Sequence, residues 1–322
     1  MVPQSSNEWK KYLFPRINVA LLLPQVLRQG KGIITLLRGN SMQSLLYGLI
    51  AALAWGLHDF FMRHLSQKLA VATMLLTVLS MGSVALIGLI AVTGGWAQVD
   101  AHSAMFAVAS GMCYVLGCFG LYTAFAIGPV RLVAPIAGAY PVLSVTLAAL
   151  SGQPIGADQW LATFAVVVGI AIVARQPEQD TATQNRVKAM LWAALGATGF
   201  ALTFALGQIA TQGGAELSVI LIARLTAVLI VAAWVIYRRL PFGPLRPHLR
   251  LIALMGVLDV TALGLVIAAG SLANPEFAAV ASSLFGLITI LLAWRFLGEP
   301  MRALQWGGVA MVFAGIAWLA AS

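Results

Sequence analysis

Gly298-Glu299-Pro300-Met301-Arg302-Ala303-Leu304-Gln305-Trp306 has an echo 146 residues earlier in Gly152-Gln153-Pro154-Ile155-Gly156-Ala157-Asp158-Gln159-Trp160. In both copies a glycine and a proline close one long apolar run, and Gln-Trp stands at the head of the next. Glycine and proline punctuate helices, so each copy reads as helix, turn, helix. Upstream of the two copies the match continues at an offset of 145, which lays Gly111 on Gly256, Ala124 on Ala269 and Tyr140-Pro141 on Phe285-Gly286. One inserted residue accounts for the change of register. The chain is therefore internally repeated.

A bilayer core about 30 Å thick needs roughly 20 apolar residues per helix, and backbone in lipid must close its own hydrogen bonds. Ten apolar stretches meet that description, at 44–63, 70–92, 103–126, 130–150, 159–174, 188–208, 217–237, 249–271, 277–297 and 304–321. Five belong to each copy. Because five is odd, the second copy must enter the membrane from the opposite side. The expected fold is an all-α integral membrane protein of ten transmembrane helices arranged as two inverted five-helix repeats. Residues 42–174 and 188–322 form the repeats, joined by a polar linker at 175–187. Residues 1–41 are expected to be a basic tail, disordered or interfacial: the apolar run Ile17 to Leu23 is too short to span, and no small-residue cleavage site follows it. Met42, directly before the first span, is an alternative start.

Composition agrees with a membrane chain. Hydrophobic residues make up 61% and charged residues 9% of the 322, whereas soluble domains carry about 25% charge. The 19 Lys and Arg against 10 Asp and Glu sit at span ends and in the tail, where anionic lipid and topology explain them, so nucleic acid is not an expected partner. Cys113 and Cys118 share one apolar run on different faces and read as packing residues. No H-E-x-x-H, G-x-S-x-G or phosphate-binding loop is present, which argues against an intramembrane enzyme and a one-chain ATP-driven pump. No cofactor is expected.

The first span (LIAALAWGLHDFFMRH), Tyr140-Pro141 with the Gly-x-Pro turn and Trp160 after it, and the run from Ser282-Ser283-Leu284 to Gly298-Glu299 followed by Gln305-Trp306 together resemble the EamA-like family of the drug/metabolite transporter superfamily. The resemblance covers residues 44 to 321. It implies a multi-pass cell (inner) membrane protein, monomer or homodimer, that exports or takes up small metabolites by secondary transport. Amino acids and drug-like solutes are the implied substrates, and the alternatives are a non-transporting scaffold or receptor. Two departures stand out. Trp55 or a neighbour occupies the region where small relatives carry a proton-coupling glutamate, and Gly286 stands where a proline is common.

Ionisable residues inside spans cost several kcal/mol unless they face a cavity or a partner. Asp259 lies roughly 12 Å into the eighth span and Arg224 roughly 10 Å into the seventh from the other face, at 1.5 Å per residue. The gap of about 8 Å in a 30 Å core is one that a long arginine can partly close, so a direct or substrate-bridged contact is expected alongside the alternative of Arg224 snorkelling. His58 and Asp59 enter from the same face as Asp259. They either share its cavity or leave Asp59 to pair with Arg63 one turn on. Carboxyl groups taken out of water hold protons more readily and histidine changes charge near neutrality, which makes a proton-coupled cycle conceivable. Trp55, Tyr114, Tyr122, Tyr140 and Phe285 are candidates to line an apolar cavity, with helix packing as the alternative. Small residues at four-residue spacing (Gly48, Ala52, Gly56; Gly120, Ala124, Gly128; Gly199, Thr203, Gly207) mark close helix contacts, and Trp160, Trp192 and Trp306 mark the membrane interfaces.

Orientation receives opposite signals. Twelve of the 13 basic residues after the tail lie at the odd-numbered connections, which places those connections in the cytoplasm and both termini outside. The family resemblance and the six basic residues of the tail imply cytoplasmic termini.

Overall fold

The computed structural model describes residues 40–143, 146, 156–174, 183–272 and 276–321. The tail, the Gly152-Gln153-Pro154 turn, the last residues of the fourth apolar stretch and most of the linker lie outside them. Among the described residues every element is helical: α1 (Asn40–Ser66), α2 (Val71–Thr93), α3 (Ala101–Ile127), α4 (Val130–Gly138), α5 (Ala157–Ala174), α6 (Thr183–Thr211), α7 (Glu216–Tyr237), α8 (Leu249–Ala268), α9 (Glu276–Ser282), α10 (Phe285–Leu292) and α11 (Ala303–Ala321), with short 3-10 and π turns between some of them. Seven segments among the described residues are long and apolar enough to cross a membrane, and Val130–Leu143, Ala157–Val173 and Ala303–Trp318 are shorter apolar helices.

Helix ends repeat the sequence offset. Ser66 closes α1 and Thr211 closes α6, Val71 opens α2 and Glu216 opens α7, each pair 145 residues apart. The packing repeats as well. α3 lies along α6, and α8, its counterpart, lies along α1; α2 meets α8, and α7 meets α3; α4 meets α6, and α9 with α10 meets α1. The two self-related contacts, α2 on α7 and α5 on α11, complete a pattern that survives exchange of the two halves.

Close helix approach at these contacts rests on residues without side chains. A Cβ on Gly120 would lie 2.7 Å from the Trp192 carbonyl oxygen and 2.6 Å from the Gly196 nitrogen, and one on Gly48 would lie 2.6 Å from the Ala281 Cβ. Both neighbours are backbone or methyl groups with nowhere to go, so the small-residue seams are true contact lines.

The repeated Gln-Trp has a local cause. Gln159 Oε1 accepts from the Gly156 N–H (3.1 Å) and Gln305 Oε1 accepts from the Arg302 N–H (3.0 Å). In each case a glutamine in the first turn reaches back to a donor that the helix leaves unpaired, a capping-box interaction that starts α5 and α11. Gly298 ends the preceding π turn with φ 65° and donates to the Ala293 carbonyl, a left-handed closure that glycine adopts without strain. On α3 the cap is Asp100, which accepts from the His102 and Ser103 N–H groups at 2.9 and 3.0 Å. Those bonds hold its carboxyl below the usual carboxylate range.

The fourth and ninth apolar stretches are not the unbroken helices that their hydropathy predicts. α4 gives way at Ala139, and Ser283-Leu284 separates α9 from α10. The breaks are repeat-related, since Tyr140-Pro141 and Phe285-Gly286 stand beside them. At the second break the Ser283 N–H turns to the Val280 carbonyl, so the Ala279 carbonyl loses its helical partner. The Tyr140 hydroxyl donates to that carbonyl and lies 2.5 Å from Ser282 Oγ, stitching one broken helix to the other. Gly286 is small because a Cβ there would sit 2.8 Å from the Ala134 carbonyl of α4.

Candidate functional site

Where the broken helices meet α1, α3, α6 and α8, they leave a cavity whose lining residues are all buried. Only ≈ 20 Å³ of it admits the centre of a water molecule, room for about one or two waters. The cavity is occluded in this conformation. Its polar wall is His58, Asp59 and Asp259, with Cys118 beside them, and its rings are Trp55, Tyr122, Tyr140, Phe200, Phe204 and Phe285.

Asp259, 3% exposed, is held by two hydrogen-bond donors and one cation. Trp55 Nε1 donates to Oδ1 at 3.2 Å, the Tyr114 hydroxyl donates to the same oxygen, and Arg224 Nη1 lies 2.8 Å from Oδ2. The arginine contact is an ion pair without hydrogen-bond alignment, since neither atom meets that geometry. Arg224 has no exposed surface. Its guanidinium lies over Gly82, where any Cβ would overlap it, and Gly82 and Gly256 together leave the space between α2 and α8 that the arginine fills. A long contact of 3.5 Å joins Nη2 to the Val78 carbonyl, and Nε finds no acceptor among the described residues. An arginine so placed needs its carboxylate, because an uncompensated buried charge costs several kcal/mol.

The second carboxylate is differently placed. Asp59 Oδ1 lies 2.8 Å from His58 Nδ1, and His58 Nε2 lies 2.9 Å from the Tyr122 hydroxyl. A neutral imidazole in this chain donates from Nδ1 to the carboxylate and accepts from the phenol at Nε2. Asp59 Oδ2 is buried without a partner among the described residues. The alternative expected for Asp59, an ion pair with Arg63, is not formed. Arg63 instead joins the two repeats: its Nε donates to Glu299 Oε1 of the second at 3.1 Å and its Nη1 to the Phe125 carbonyl of its own at 2.5 Å, while Glu299 Oε2 accepts from the Val130 N–H at 2.9 Å.

Of the nine residues singled out in the sequence, seven therefore line the cavity: Asp259, Asp59, His58, Trp55, Tyr122, Tyr140 and Phe285. Tyr114 and Arg224 stand behind Asp259 and hold it. Phe200, Phe204, Leu121 and Cys118 were not among them, and Cys118 forms cavity wall as well as packing. The signal for the two phenylalanines was available, because the 145-residue offset carries Trp55 to Phe200 and Asp59 to Phe204. The same offset joins Tyr114 to Asp259, which are hydrogen-bonded, and Tyr140 to Phe285. The cavity thus lies where the two halves exchange. Among the described residues no group of three His, Cys, Asp or Glu is placed to hold a metal ion.

A bundle of apolar helices around a small, buried, partly charged cavity defines a multi-pass membrane protein. Comparison with known proteins agrees: the EamA-like transporter family matches residues 42–175 and 187–321. The chain belongs to this family, within the drug/metabolite transporter superfamily, whose members are membrane transporters and not enzymes. A solved structure described only as "Crystal structure of protein" shares the fold with a TM-score of 0.61 at 15% identity, over 85% of this chain and 95% of its own. No curated protein matches the chain.

Proposed function

We propose that the chain crosses a cell membrane ten times as two inverted five-helix repeats and moves a small metabolite or drug-like solute through the central cavity by alternating access, outward and coupled to protons. The observation that carries this reading is the convergence of three repeat-related pairs, Trp55 with Phe200, Asp59 with Phe204 and Tyr140 with Phe285, on one cavity, with a fourth, Tyr114 with Asp259, hydrogen-bonded at its wall. Two halves built alike and packed alike have two near-equivalent ways of closing around a site between them, and inverted repeats turn those into inward-facing and outward-facing forms. Tyr122, His58 and Asp59 supply the proton site. The titratable and charged groups that bear on it are Tyr114 and Cys118 from α3, Tyr140 after α4, Arg224 from α7 and Asp259 from α8.

Purified protein in liposomes tests this directly. An imposed pH gradient should drive uptake of a transported solute, and Asp59→Asn should abolish the response to the gradient. Flux that ignores the gradient in the unaltered protein removes the coupling; absence of flux for every solute tried under both gradients removes transport.

A further inference from the structure

A second hollow opens where the turn from α3 to α4 meets the close of α5 and the start of α6. It offers about 250 Å³, against the ≈ 20 Å³ of the central cavity. Its lining is amphipathic: Ile127, Leu132 and Val173 are apolar, whereas Arg131, Asn185 and Arg186 are polar. Among the described residues no acidic side chain lines it.

Arg131 is half-buried here. Its Nη1 donates to the Pro300 carbonyl at 2.8 Å, a neutral acceptor, and its Nε is buried without an acceptor among the described residues. The carboxylate that bears on it is Glu299, which Arg63 already engages at 3.1 Å, while Arg186 and Arg63 act on it as like charges. Both lining arginines stand in the first turns of their helices, α4 and α6, whose N-terminal partial charges add to the positive field. The repeat does not demand this arrangement. An offset of 145 carries Arg131 to Glu276 and relates Arg186 to Ser41, so the other half has an acid and a hydroxyl where this one has two arginines.

Guanidinium groups present several fixed donors in a plane that matches the oxygens of a phosphate, and two such groups can grip one together. Basic pockets between membrane helices receive phosphate-bearing headgroups in this way. We propose that this hollow binds a phosphate group, gripped by Arg131 and Arg186, of the kind carried by an anionic phospholipid headgroup or by free phosphate. The site is separate from the central cavity and does not depend on what that cavity carries. A phosphate held there joins α4 to α6 across the boundary between the two repeats, so occupancy stabilises the bundle.

The full chain, purified in detergent, is titrated with dioleoylphosphatidylglycerol, with dioleoylphosphatidylcholine and with inorganic phosphate; native mass spectrometry counts bound lipid, and the unfolding midpoint is followed in parallel. Phosphatidylglycerol should bind about tenfold more tightly than phosphatidylcholine, within what two arginines near a membrane surface supply, and should raise the midpoint. Arg131→Gln combined with Arg186→Gln should remove that preference. Arg246→Gln combined with Arg250→Gln, an equal loss of charge from exposed arginines that do not line the hollow, should keep it. If loss of the Pro300 contact keeps Arg131→Gln from folding, Arg186→Gln alone should reduce the preference about threefold. Lipid binding that inorganic phosphate displaces only weakly assigns the site to a headgroup. A midpoint raised by inorganic phosphate alone, and no longer raised in the Arg131, Arg186 double variant, assigns it to soluble phosphate. Equal retention of the two lipids, equal losses in the two double variants, or no response to any of the three probes would overturn the proposal.

Discussion

At the scale of single residues the critical object is the Arg224–Asp259 pair. Removing one member of a buried pair leaves the other charge stranded, at a cost of about 3–5 kcal/mol, whereas neutralising both is far less costly. Arg224→Met should therefore lower the thermal unfolding midpoint in detergent strongly. The double variant Arg224→Met, Asp259→Asn should recover most of the loss, since asparagine keeps an oxygen for Trp55 and Tyr114. Additive losses in the two variants would show that the pair is not coupled. Both residues were conspicuous in the sequence because a charge inside an apolar run has few innocent explanations, and their depths left a gap short enough for a direct contact. Counting helix rise measures the depth of a Cα, and the arginine side chain closes the remaining distance. Phe200 and Phe204 were inconspicuous for the opposite reason: a phenylalanine in an apolar helix carries no contrast, and only its repeat relation to Trp55 and Asp59 distinguishes it.

At the scale of helices, the contacts that hold the bundle are backbone-close seams and one polar latch. Gly120→Val pushes a branched side chain into the α6 backbone at Trp192 and Gly196, and overpacking of that kind costs about 1–3 kcal/mol. The expected result is a lower yield of monodisperse protein and a lower unfolding midpoint; unchanged values for both would mean that α3 and α6 can separate freely. The latch is Glu299, which binds Arg63 of α1 and the first N–H of α4 from the turn before α11. Its members are 18% and 14% exposed, so the ion pair contributes about 1 kcal/mol. The repeat counterparts of Arg63 and Glu299 are Gln208 and Gln153, two uncharged residues in place of an ion pair. Glu299→Gln should therefore favour opening at the charged mouth and speed alkylation of the cavity residue Cys118, in a Cys113→Ala background, by about fivefold, the factor that 1 kcal/mol represents. An unchanged alkylation rate would mean that this contact does not bear on opening. Helix ends were legible because Gly298, Gln159 and Gln305 have local duties. The break at Ser283-Leu284 was hidden, since neither residue forbids a helix; what ends α9 there is the crossing with α4, a tertiary demand that its own residues do not announce.

At the scale of the whole molecule, the repeat and the charge distribution make separate demands on how the chain sits in the membrane. Gln67 and Gln212 are repeat counterparts, both exposed in turns that follow α1 and α6. If the halves are inverted, these two turns face opposite sides of the bilayer, although they are built from matching sequence. Charge supplies the sense. On the inverted ten-span arrangement, Arg63, Lys68, Arg131, Arg186, Lys188, Arg238, Arg239, Arg246, Arg250, Arg295 and Arg302 fall on the face that holds Gln67, whereas the connections of the other face carry Asp100, Asp158, Glu216 and Glu276 with no lysine or arginine. Basic residues in short connections are retained in the cytoplasm, and acidic ones have little say. Single cysteines placed at Gln67→Cys and Gln212→Cys, with Cys113 and Cys118 replaced by alanine, should react with an impermeant maleimide from opposite sides: the first in inside-out vesicles and the second in intact cells. Labelling of both from one side would refute inversion and with it the route to alternating access. Opposite labelling in the reverse sense would keep the inversion and show that the basic tail, and not these eleven later charges, sets the orientation.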